Sequence, residues 1–526
     1  MAEVLLSAVL ELLERANQQG IVISLREDEL IIKFSRSKEI DPLLLANLKQ
    51  HKTRLKEYLS GQLKPRGSEM EAGYIIQEGI RYYELAPVQR WWVDETRDTI
   101  LKKNQNGLFC FKITGAGFSP AVLQQTVLHI AQRHESLRSA FRKIGDKNYL
   151  WILPAEETLF KIEYNDLRTM PDTVRSEMLE EIMSRQIDFD LNTGPLFATK
   201  LYQTGETEYY FSIHMHHVVY DSWSFDVLRH DLFTAYLFYS GGRTPVLPPM
   251  KFQYKEYMSL MNRHIKKNGE AHKAYWENRF PHLPEDLVIP GVKPGMIGSE
   301  KHCYDARKLS AFLSREVIEQ LHLIASKHQT GLFVVIQVLF KLYLRKITGQ
   351  EDIVIGLQGF GRDILMDAED QIGVYATTSV IRTIFSGEES LAATIEKVKL
   401  SNADMHTYSA TTLLETMQSK VPPPDNRIGR FTKVLLDYLD SNGFFTRNEN
   451  TTSDTPQVAD MDIVPLSELP KKFVINTDMK CFFMYINNQM DFKIIYNADM
   501  YEEPVITSFV DGLRNFMQTT VENFSA

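Results

Sequence analysis

The sequence predicts a mixed α/β fold, and three stretches of the chain indicate it. Residues 209–216 alternate apolar and polar side chains, which is the pattern of a strand, and Asp221 then precedes a periodic apolar run that suits the start of a helix. Residues 4–13 carry a helical stripe of apolar side chains. The short β-branched runs 21–25 and 30–34 flank a charged turn and therefore predict a hairpin.

The composition is that of a globular protein in a reducing compartment. A length of 526 residues suits two or three packed units, and a net charge of −9 argues against nucleic acid as a partner. Glu3 and Glu11 interrupt the apolar N-terminal run, and the longest apolar stretch, 332–344, is too short to cross a membrane. We therefore expect a cytoplasmic protein, because its few cysteines are too scattered for disulfides or a zinc site. They are Cys110, Cys303 and Cys481.

Residues 1–62 are predicted to form a small unit of their own. A helical stripe is followed by the hairpin, and Asp41 with Pro42 suits the N-terminus of a second helix. Helix, hairpin and helix in so few residues bury only a small core, so a homodimer or a partner is expected. Residues 63–73 are charged, contain proline and glycine, and are predicted to be a linker.

Two adjacent histidines end the predicted strand. His216 and His217 come where the strand runs out, and Asp221 follows four residues after His217. A neutral imidazole there accepts or relays a proton near neutral pH, while an aspartate fixes the surrounding loop. A metal site is disfavoured, because His214 and His216 share one face of the strand and His217 points away from it. The sequence also has no cysteine or acidic cluster nearby to complete a metal shell.

The string His-His-x-x-x-Asp at residues 216–221 resembles the signature of condensation domains of nonribosomal peptide synthetases. That family joins two carrier-bound acyl groups by an amide bond. Trp223 and Ser224 extend the similarity, whereas Ser222 stands where the family usually has glycine. Further segments resemble other motifs of the family, in the family's own order. They are residues 85–91, 133–141, 189–196, 254–257, 332–362 and 371–382, with a looser match at 427–437.

The resemblance implies a more specific α/β fold than the periodicity does. Condensation domains consist of two chloramphenicol-acetyltransferase-like lobes in a V-shaped pseudo-dimer, here preceded by the small α+β unit. We place the N-lobe at 74–247 and the C-lobe at 248–526, because the proline-rich residues 244–249 break the regular pattern. A tunnel between the lobes is expected to receive the phosphopantetheine arms of an upstream and a downstream carrier protein, with the histidine loop at its midpoint.

The implied reaction is attack of an aminoacyl amine on an upstream acyl or peptidyl thioester. It needs no cofactor bound by the chain itself, because the thioester is already activated and proximity supplies on the order of 7–11 kcal/mol. His217 is the expected catalytic residue, which either takes a proton from the amine or holds the amine by a hydrogen bond. His216 is expected to support the loop. Ser222 is expected either to restrict the loop or to add a hydrogen-bond donor.

Asp221 is expected to act structurally within the catalytic motif. Amide N–H groups after it are expected to help stabilise the oxyanion. An aspartate beside a catalytic loop gains most from a bidentate arginine, and Arg138 of the second motif is the expected partner. Arg133 and Arg382 are the alternatives.

Neighbouring families and other functions leave different marks on these residues. Both histidines are present, which disfavours heterocyclisation. Neither the Asp-Phe-Gly-Trp-Gly motif of plant-type acyltransferases nor the Glu-Gly-His-Gly-Arg-Glu string of epimerisation domains is found. Thr377 replaces the asparagine that is usual in the family's fifth motif, so a free amine acceptor or a modified reaction stays open. A non-catalytic docking scaffold is the alternative from a different class.

Residues 1–62 resemble the N-terminal docking domains of the tubulysin-synthetase type. This resemblance implies that they bind the C-terminal tail of an upstream synthetase subunit, although an accessory helical cap stays open. Between residues 33 and 60 there are seven Lys/Arg and three Asp/Glu, a local excess of 7 − 3 = +4 that favours an acidic tail. The candidate docking residues are Lys33, Lys49, Lys52 and Lys56.

Overall fold

A computed structural model describes most of the chain. The described residues are 12, 16, 22–26, 29–33, 47–53, 55–56, 72–98, 106–156, 160–182, 187–282, 284–296, 304–359, 362, 368–408, 433–440, 461–466, 473–475, 477–486 and 489–525. Several predicted features lie wholly or largely outside these residues. They are the helical stripe 4–13, the helix start at Asp41, the linker 63–73, Cys303 and the first half of the segment 427–437.

The predicted N-terminal hairpin is confirmed. Strands β1 (Val22–Arg26) and β2 (Glu29–Lys33) pair in antiparallel fashion, with Arg26 opposite Glu29 beside the turn. Helical residues follow between 47 and 56, where Leu48 and Leu55 are buried. A hairpin and a helix with a buried face therefore lie in the region for which the sequence predicts them.

A five-stranded sheet carries the histidine motif. Its strand order is β15-β5-β10-β9-β8, and β10 lies at the centre. The strands are β5 (Asn106–Thr114), β8 (Glu163–Asp166), β9 (Phe197–Gln203), β10 (Glu208–His216) and β15 (Asp462–Leu466). Phe211, Ile213 and Met215 of β10 are fully buried, as the period-two pattern predicts.

Three of the helices in this N-terminal part adjoin the strands of the five-stranded sheet, either in space or along the chain. The helices α2 (Pro120–Arg133) and α4 (Ser222–Ser240) share one apolar core with β10. Helix α2 begins after the N-cap residue Ser119, whose side chain accepts a hydrogen bond from the Val122 N–H. Helix α1 (Pro87–Asp98) precedes β5 and carries the residues of the predicted first motif.

A four-stranded sheet and a long helix lie beside the five-stranded sheet. The sheet has the order β3-β4-β7-β6 and is made of β3 (Tyr74–Gln77), β4 (Ile80–Glu84), β6 (Ser139–Ile144) and β7 (Lys147–Ile152). The remaining helices here are α3 (Asp172–Ile182) and α5 (Tyr254–Arg279). Side chains of α1, β4, β7 and α5 share one apolar core with Val218 and Val219 of the histidine loop. The packing of Val218 and Val219 in this core holds the histidine loop in place.

A seven-stranded sheet forms the centre of the C-terminal part, with the order β13-β12-β14-β17-β18-β11-β16. Its strands are β11 (Tyr304–Leu313), β12 (Asp352–Gly359), β13 (Thr377–Ile384), β14 (Val434–Asp440), β16 (Phe473–Ile475), β17 (Met479–Ile486) and β18 (Gln489–Asn497). One face packs against α6 (Arg315–Lys327), α7 (Leu332–Thr348), α8 (Leu391–Thr407) and α9 (Glu503–Ser525).

The lengths of the helices bear on whether the chain could cross a membrane. No single helix in the described part of the chain is long and apolar enough to cross a bilayer. The pair α6 and α7 meets the length and composition requirement only together, and it is bent by 107° at its break.

One strand from the C-terminal half of the chain joins the five-stranded sheet of the N-terminal half. β15, which comes from the C-terminal half, pairs with β5 and forms the edge of the five-stranded sheet. Pro465 lies opposite Phe111 in this strand, which suits an edge position because proline lacks the N–H that a central strand needs. The division at residue 248 and the V-shaped arrangement stay predictions.

Candidate active site

The histidine loop begins where β10 ends. Residues His217–Val219 form one turn of 3-10 helix, and His216 caps it by accepting a hydrogen bond at Nδ1 from the Val218 N–H at 3.2 Å. Gln89 of α1 donates to the Val218 carbonyl at 3.1 Å. Burial lowers the pKa of His216 to about 3, so its ring is neutral at physiological pH. His216 therefore contacts its own loop, as the sequence analysis expects.

His217 is partly buried between two aromatic rings. The Trp92 indole stacks on its imidazole at 4.4 Å and 15°, and the Tyr220 ring lies 5.0 Å away. Burial lowers the pKa of His217, the neighbouring Lys480 also lowers it, and the residue's own backbone carbonyl and Asp221 act against them. The ring is thus kept neutral, which is the form that accepts a proton.

The two ring nitrogens of His217 have different surroundings. Nδ1 is buried and has no hydrogen-bond partner on another described residue. The backbone carbonyl of His217 itself raises the pKa of the ring. Nε2 is not among the fully buried atoms. A carbonyl beside Nδ1 favours the tautomer with its proton there. Nε2 then carries the lone pair of the ring.

Asp221 caps α4 through Oδ1, and both of its carboxylate oxygens accept hydrogen bonds. Oδ1 accepts from the Ser224 N–H at 2.8 Å and from Arg362 Nη2 at 2.8 Å. Oδ2 accepts from the backbone N–H groups of Tyr375 at 3.1 Å and Ala376 at 3.2 Å. The side chains of Asp221 and Arg362 are only 3% and 4% exposed. The aspartate therefore holds the loop rather than the substrate.

The predicted pairing of Asp221 with Arg138 is wrong. Arg138 donates through Nε to the Ala131 carbonyl at 3.0 Å and through Nη1 to the Leu153 carbonyl. Ala131 lies in the last turn of α2, and Leu153 directly follows β7. Arg138 therefore links the end of α2 to the end of β7. The expectation rests on the place of Arg138 in a motif of the family, whereas the true partner, Arg362, lies 141 residues after Asp221 in the C-terminal half of the chain.

The two alternative partners are also wrong. Arg133 donates through Nε to Asp231 at 2.8 Å, where His134 also binds. Arg382 forms a bidentate pair with Asp352 across β13 and β12. Each of these arginines thus has a carboxylate within its own half of the chain.

Arg362 is the functional residue that the sequence analysis did not single out. Its Nη1 donates to the carbonyls of Ala368 at 2.7 Å and Gln371 at 2.9 Å, and its Nη2 also reaches Ser224 Oγ at 2.9 Å. Its guanidinium carbon lies 4.0 Å from the centre of the Tyr375 ring, a cation–π distance. The signal in the sequence was the Gly-Arg pair that ends the motif 332–362, although spacing alone does not reveal its partner.

Ser224 and Gly373 complete the connection between the two halves. Ser224 Oγ lies 2.8 Å from the Gly373 carbonyl and accepts from the Gly373 N–H at 3.0 Å. A Cβ atom at residue 373 would lie 2.1 Å from the Tyr254 ring, so only glycine fits. The exposed Ser222 has no positive φ at its position, so it replaces glycine without backbone strain.

The amide groups and the possible metal ligands of the site bear on two further expectations. The N–H of Ser224, one of the amides expected to bind the oxyanion, donates to Asp221 instead. Within the described residues, no group of three His, Cys, Asp or Glu side chains is arranged to hold a metal ion.

The candidate docking lysines lie on the N-terminal unit. Lys49 and Lys52 are exposed and Lys56 is partly buried, on the helical stretch whose opposite side buries Leu48. The side chain of Lys33 lies outside the described part of the molecule. Their role in docking stays a prediction.

Comparison with known protein families decides the assignment of the chain. A family model of the condensation domain matches residues 80–526, which include the histidine loop and its C-terminal partners. The chain belongs to the condensation domain family. Condensation domains of nonribosomal peptide synthetases are acyltransferases that form peptide bonds, and they work with carrier protein domains.

This condensation domain is similar to segments of much longer synthetases. Malpibaldin synthetase of Mortierella alpina is 27% identical over 301 residues, which are 57% of this chain and 5% of that protein. Gramicidin S synthase 2 of Aneurinibacillus migulanus is 23% identical over 406 residues, which are 76% of this chain and 8% of that protein. The condensation domain chain thus spans less than about one tenth of the length of these relatives.

Solved structures share the condensation fold at low sequence identity. The X-domain from teicoplanin biosynthesis has a TM-score of 0.71 at 18% identity, over 86% of this chain and 97% of that one. The epimerization domain from the third module of tyrocidine synthetase B has a TM-score of 0.64 at 19% identity, over 86% and 99%. The predicted α/β fold class is confirmed at this level.

Proposed function

We propose that this chain catalyses amide bond formation between an upstream acyl or peptidyl thioester and a downstream aminoacyl amine. Both substrates arrive on phosphopantetheine arms of carrier proteins. The observation that carries the proposal is the neutral imidazole of His217, on a loop fixed by the buried Asp221–Arg362 pair. Neutral, oriented bases on rigid loops are what general acid–base chemistry requires.

In the proposed mechanism, His217 acts at the attacking amine. The amine nitrogen forms a bond to the thioester carbonyl carbon, and the carbon–sulfur bond breaks. His217 Nε2 takes or holds the amine proton as the tetrahedral species forms, and the departing thiolate receives a proton. The Trp92 stack fixes the plane of the imidazole, so that the lone pair of Nε2 keeps one direction.

We further propose that residues 1–62 dock the C-terminal tail of an upstream synthetase subunit in the cytoplasm. The antiparallel pair β1 and β2 offers open edges to which an extended peptide adds as a further strand. The exposed Lys49 and Lys52 favour an acidic tail. Two copies of the unit pairing with each other is a second way to cover those edges.

Mass spectrometry of carrier-bound products tests the proposed reaction. The chain is incubated with a small panel of donor-loaded and acceptor-loaded carriers, and the mass of the acceptor carrier is then measured. A mass increase equal to the donor acyl group supports condensation. Products on a free amine would instead identify the free-acceptor alternative. No product from any pair, with the chain folded and bound to its carriers, would support the scaffold alternative.

A further inference from the structure

A second polar cluster lies on the sheet that meets the histidine loop. Lys480 of β17 donates through Nζ to Gln358 Oε1 of β12 at 2.5 Å, and it lies 3.5 Å from Asp437 Oδ2 of β14. The Phe482 ring lies 4.2 Å from the same ammonium. Three neighbouring strands therefore each place one polar side chain at this point.

The direction of these side chains follows from the pleat of the sheet. Leu357, Leu436 and Cys481 belong to the core under helices α6 to α9. Residues adjacent to them in a strand point to the opposite face. Gln358 and Lys480 are such residues, as is Asp437, so the cluster lies on the face away from the helices.

The register of the sheet brings this cluster to the histidine loop. Gln358 pairs with Thr378, two residues after Ala376, whose N–H holds Asp221. Arg362, the partner of Asp221, follows Gln358 by four residues. Gln358 of the polar cluster thus lies close in the chain to Arg362 and pairs with the strand that follows Ala376. His217 and Lys480 are close enough for the lysine charge to lower the pKa of the histidine.

We propose that Lys480 is a further catalytic residue, whose ammonium holds the thioester carbonyl oxygen opposite His217 and stabilises the oxyanion. This inference rests on the proposed condensation. Lys480 keeps its proton throughout and only donates a hydrogen bond, while the amine proton goes by way of His217 to the leaving thiolate. Asp437 and Gln358 are positioning residues for the ammonium.

The inventory of donors supports this role. A lysine ammonium has three N–H donors, and within the described residues Lys480 has hydrogen-bond or ion-pair partners for two of them. Burial lowers the pKa of Lys480, and the nearby Asp437 carboxylate acts against that fall. Among the described residues, the other titratable groups that contact or act on His217 are His216, Tyr220 and Asp221. Lys480 is therefore the cationic donor among these groups.

Lys433 provides a matched control for this residue. It forms an ion pair with Asp286 at 2.7 Å, and its side chain is 19% exposed, against 20% for Lys480. It directly precedes β14, four residues before Asp437, and its ion pair with Asp286 is separate from the polar cluster. Lys433→Met removes an equivalent charge pair away from His217.

Single-turnover amide formation tests the proposal. We expect K480M to slow the reaction by about 10²–10³-fold, the effect of removing one oxyanion donor, and K433M to change it less than about threefold. K480R should recover part of the rate because it restores the cation. Equal rates for K480M and K433M would overturn the inference, whereas inactivity of the unmodified chain would overturn the proposed function instead.

An NMR titration of the His217 ring provides a readout that does not depend on activity. Removing a neighbouring positive charge raises the pKa of a histidine. In K480M the midpoint for His217 should therefore move to higher pH, with K433M unchanged. K480Q, which keeps hydrogen bonds to Asp437 and Gln358, serves if K480M does not fold. An unchanged titration midpoint of His217 in K480M and in K480Q would contradict the proximity of Lys480 to His217.

Discussion

At the scale of single residues, the site separates holding from chemistry. Asp221 uses both oxygens on backbone N–H groups, Ser224 and Arg362, so it has no capacity left for a substrate. His217 has the opposite character, because its Nε2 is not enclosed and its ring is kept neutral. In the proposed mechanism, Asp221 therefore fixes the geometry of the loop and His217 acts on the substrate.

Breaking the Asp221–Arg362 pair should unfold the loop. We expect Arg362→Met to lower the free energy of unfolding by about 3–5 kcal/mol, because a buried carboxylate loses its charge partner. Arg315→Met is the control, since Arg315 pairs with Glu319 on the exposed surface, where ion pairs contribute little. Urea denaturation measures both. Equal stability of the two variants would show that the pair is not buried in solution.

Lys341 gives a prediction about pH and stability. Its ammonium is fully buried on α7, donates among the described residues only to Thr383 Oγ1 at 2.8 Å, and burial holds its pKa well below 10.5. Between the lowered folded pKa and the unfolded value of about 10.5, the unfolded chain binds more protons, so stability rises with pH across that window. At pH 7 the lysine therefore destabilises the fold.

Replacing this lysine should accordingly stabilise the protein. We expect Lys341→Met to raise the free energy of unfolding at pH 7 by about 1 kcal/mol or more and to reduce its rise toward pH 9. Lys346→Met, at an exposed position of the same helix, should change neither. Chemical denaturation at the two pH values makes the measurement. A less stable Lys341→Met variant with an unchanged slope would contradict the assignment.

At the scale of secondary-structure elements, local patterns predict the parts that local forces decide. Strand β10 follows from the alternation of residues 209–216, and α4 follows from the capping side chain of Asp221. The hairpin β1–β2 follows in the same way. Each of these depends on residues within one or two turns of one another.

Contacts between distant elements were not predictable in this way. The Arg362 partner of Asp221 and the pairing of β15 with β5 depend on how the two halves of the chain meet. The stack of Trp92 on His217 also joins an early helix to the loop. The resemblance to a family placed Arg362 in a motif, but only the folded chain shows which carboxylate it binds.

Two glycines should respond to alanine with opposite signs. Gly373→Ala places a Cβ 2.1 Å from the Tyr254 ring, so we expect a loss of about 1–3 kcal/mol from overpacking. Gly269→Ala, within α5, meets nothing closer than 3.8 Å and should gain up to about 1 kcal/mol from helix propensity. Thermal unfolding compares the two. The same sign for both would mean that residue 373 is not packed against α5.

At the scale of the whole molecule, residues from both halves of the chain hold the histidine loop in place. Asp221 and Ser224 bind residues 362 and 373–376, while Val218 packs with α1 and α5. The loop therefore keeps its shape only when both halves are folded and docked. Residues 1–62, which we predict to be a separate unit, take no part in these contacts among the described residues, which suits a recognition role.

Removing residues 1–62 should separate docking from chemistry. The shortened chain should condense substrates on carriers supplied in excess, yet lose efficiency with its natural upstream subunit. Charge reversal of Lys49 and Lys52 should weaken tail binding, and more at low salt than at high salt because exposed charges are screened. Product yield and binding isotherms measure the two effects. Full efficiency of the shortened chain with the intact partner would rule out the docking role.

The most direct test of the central claim is the single-turnover rate of amide formation by His217→Ala. The claim is that a neutral His217 acts at the attacking amine, so the rate should fall by about 10²–10⁴-fold. His282→Ala, an exposed histidine outside the loop, should keep the rate of the unmodified chain. The unmodified chain should also lose activity only below pH 6.5, because burial lowers the pKa of His217. A folded His217→Ala variant with near-normal rate would contradict the account.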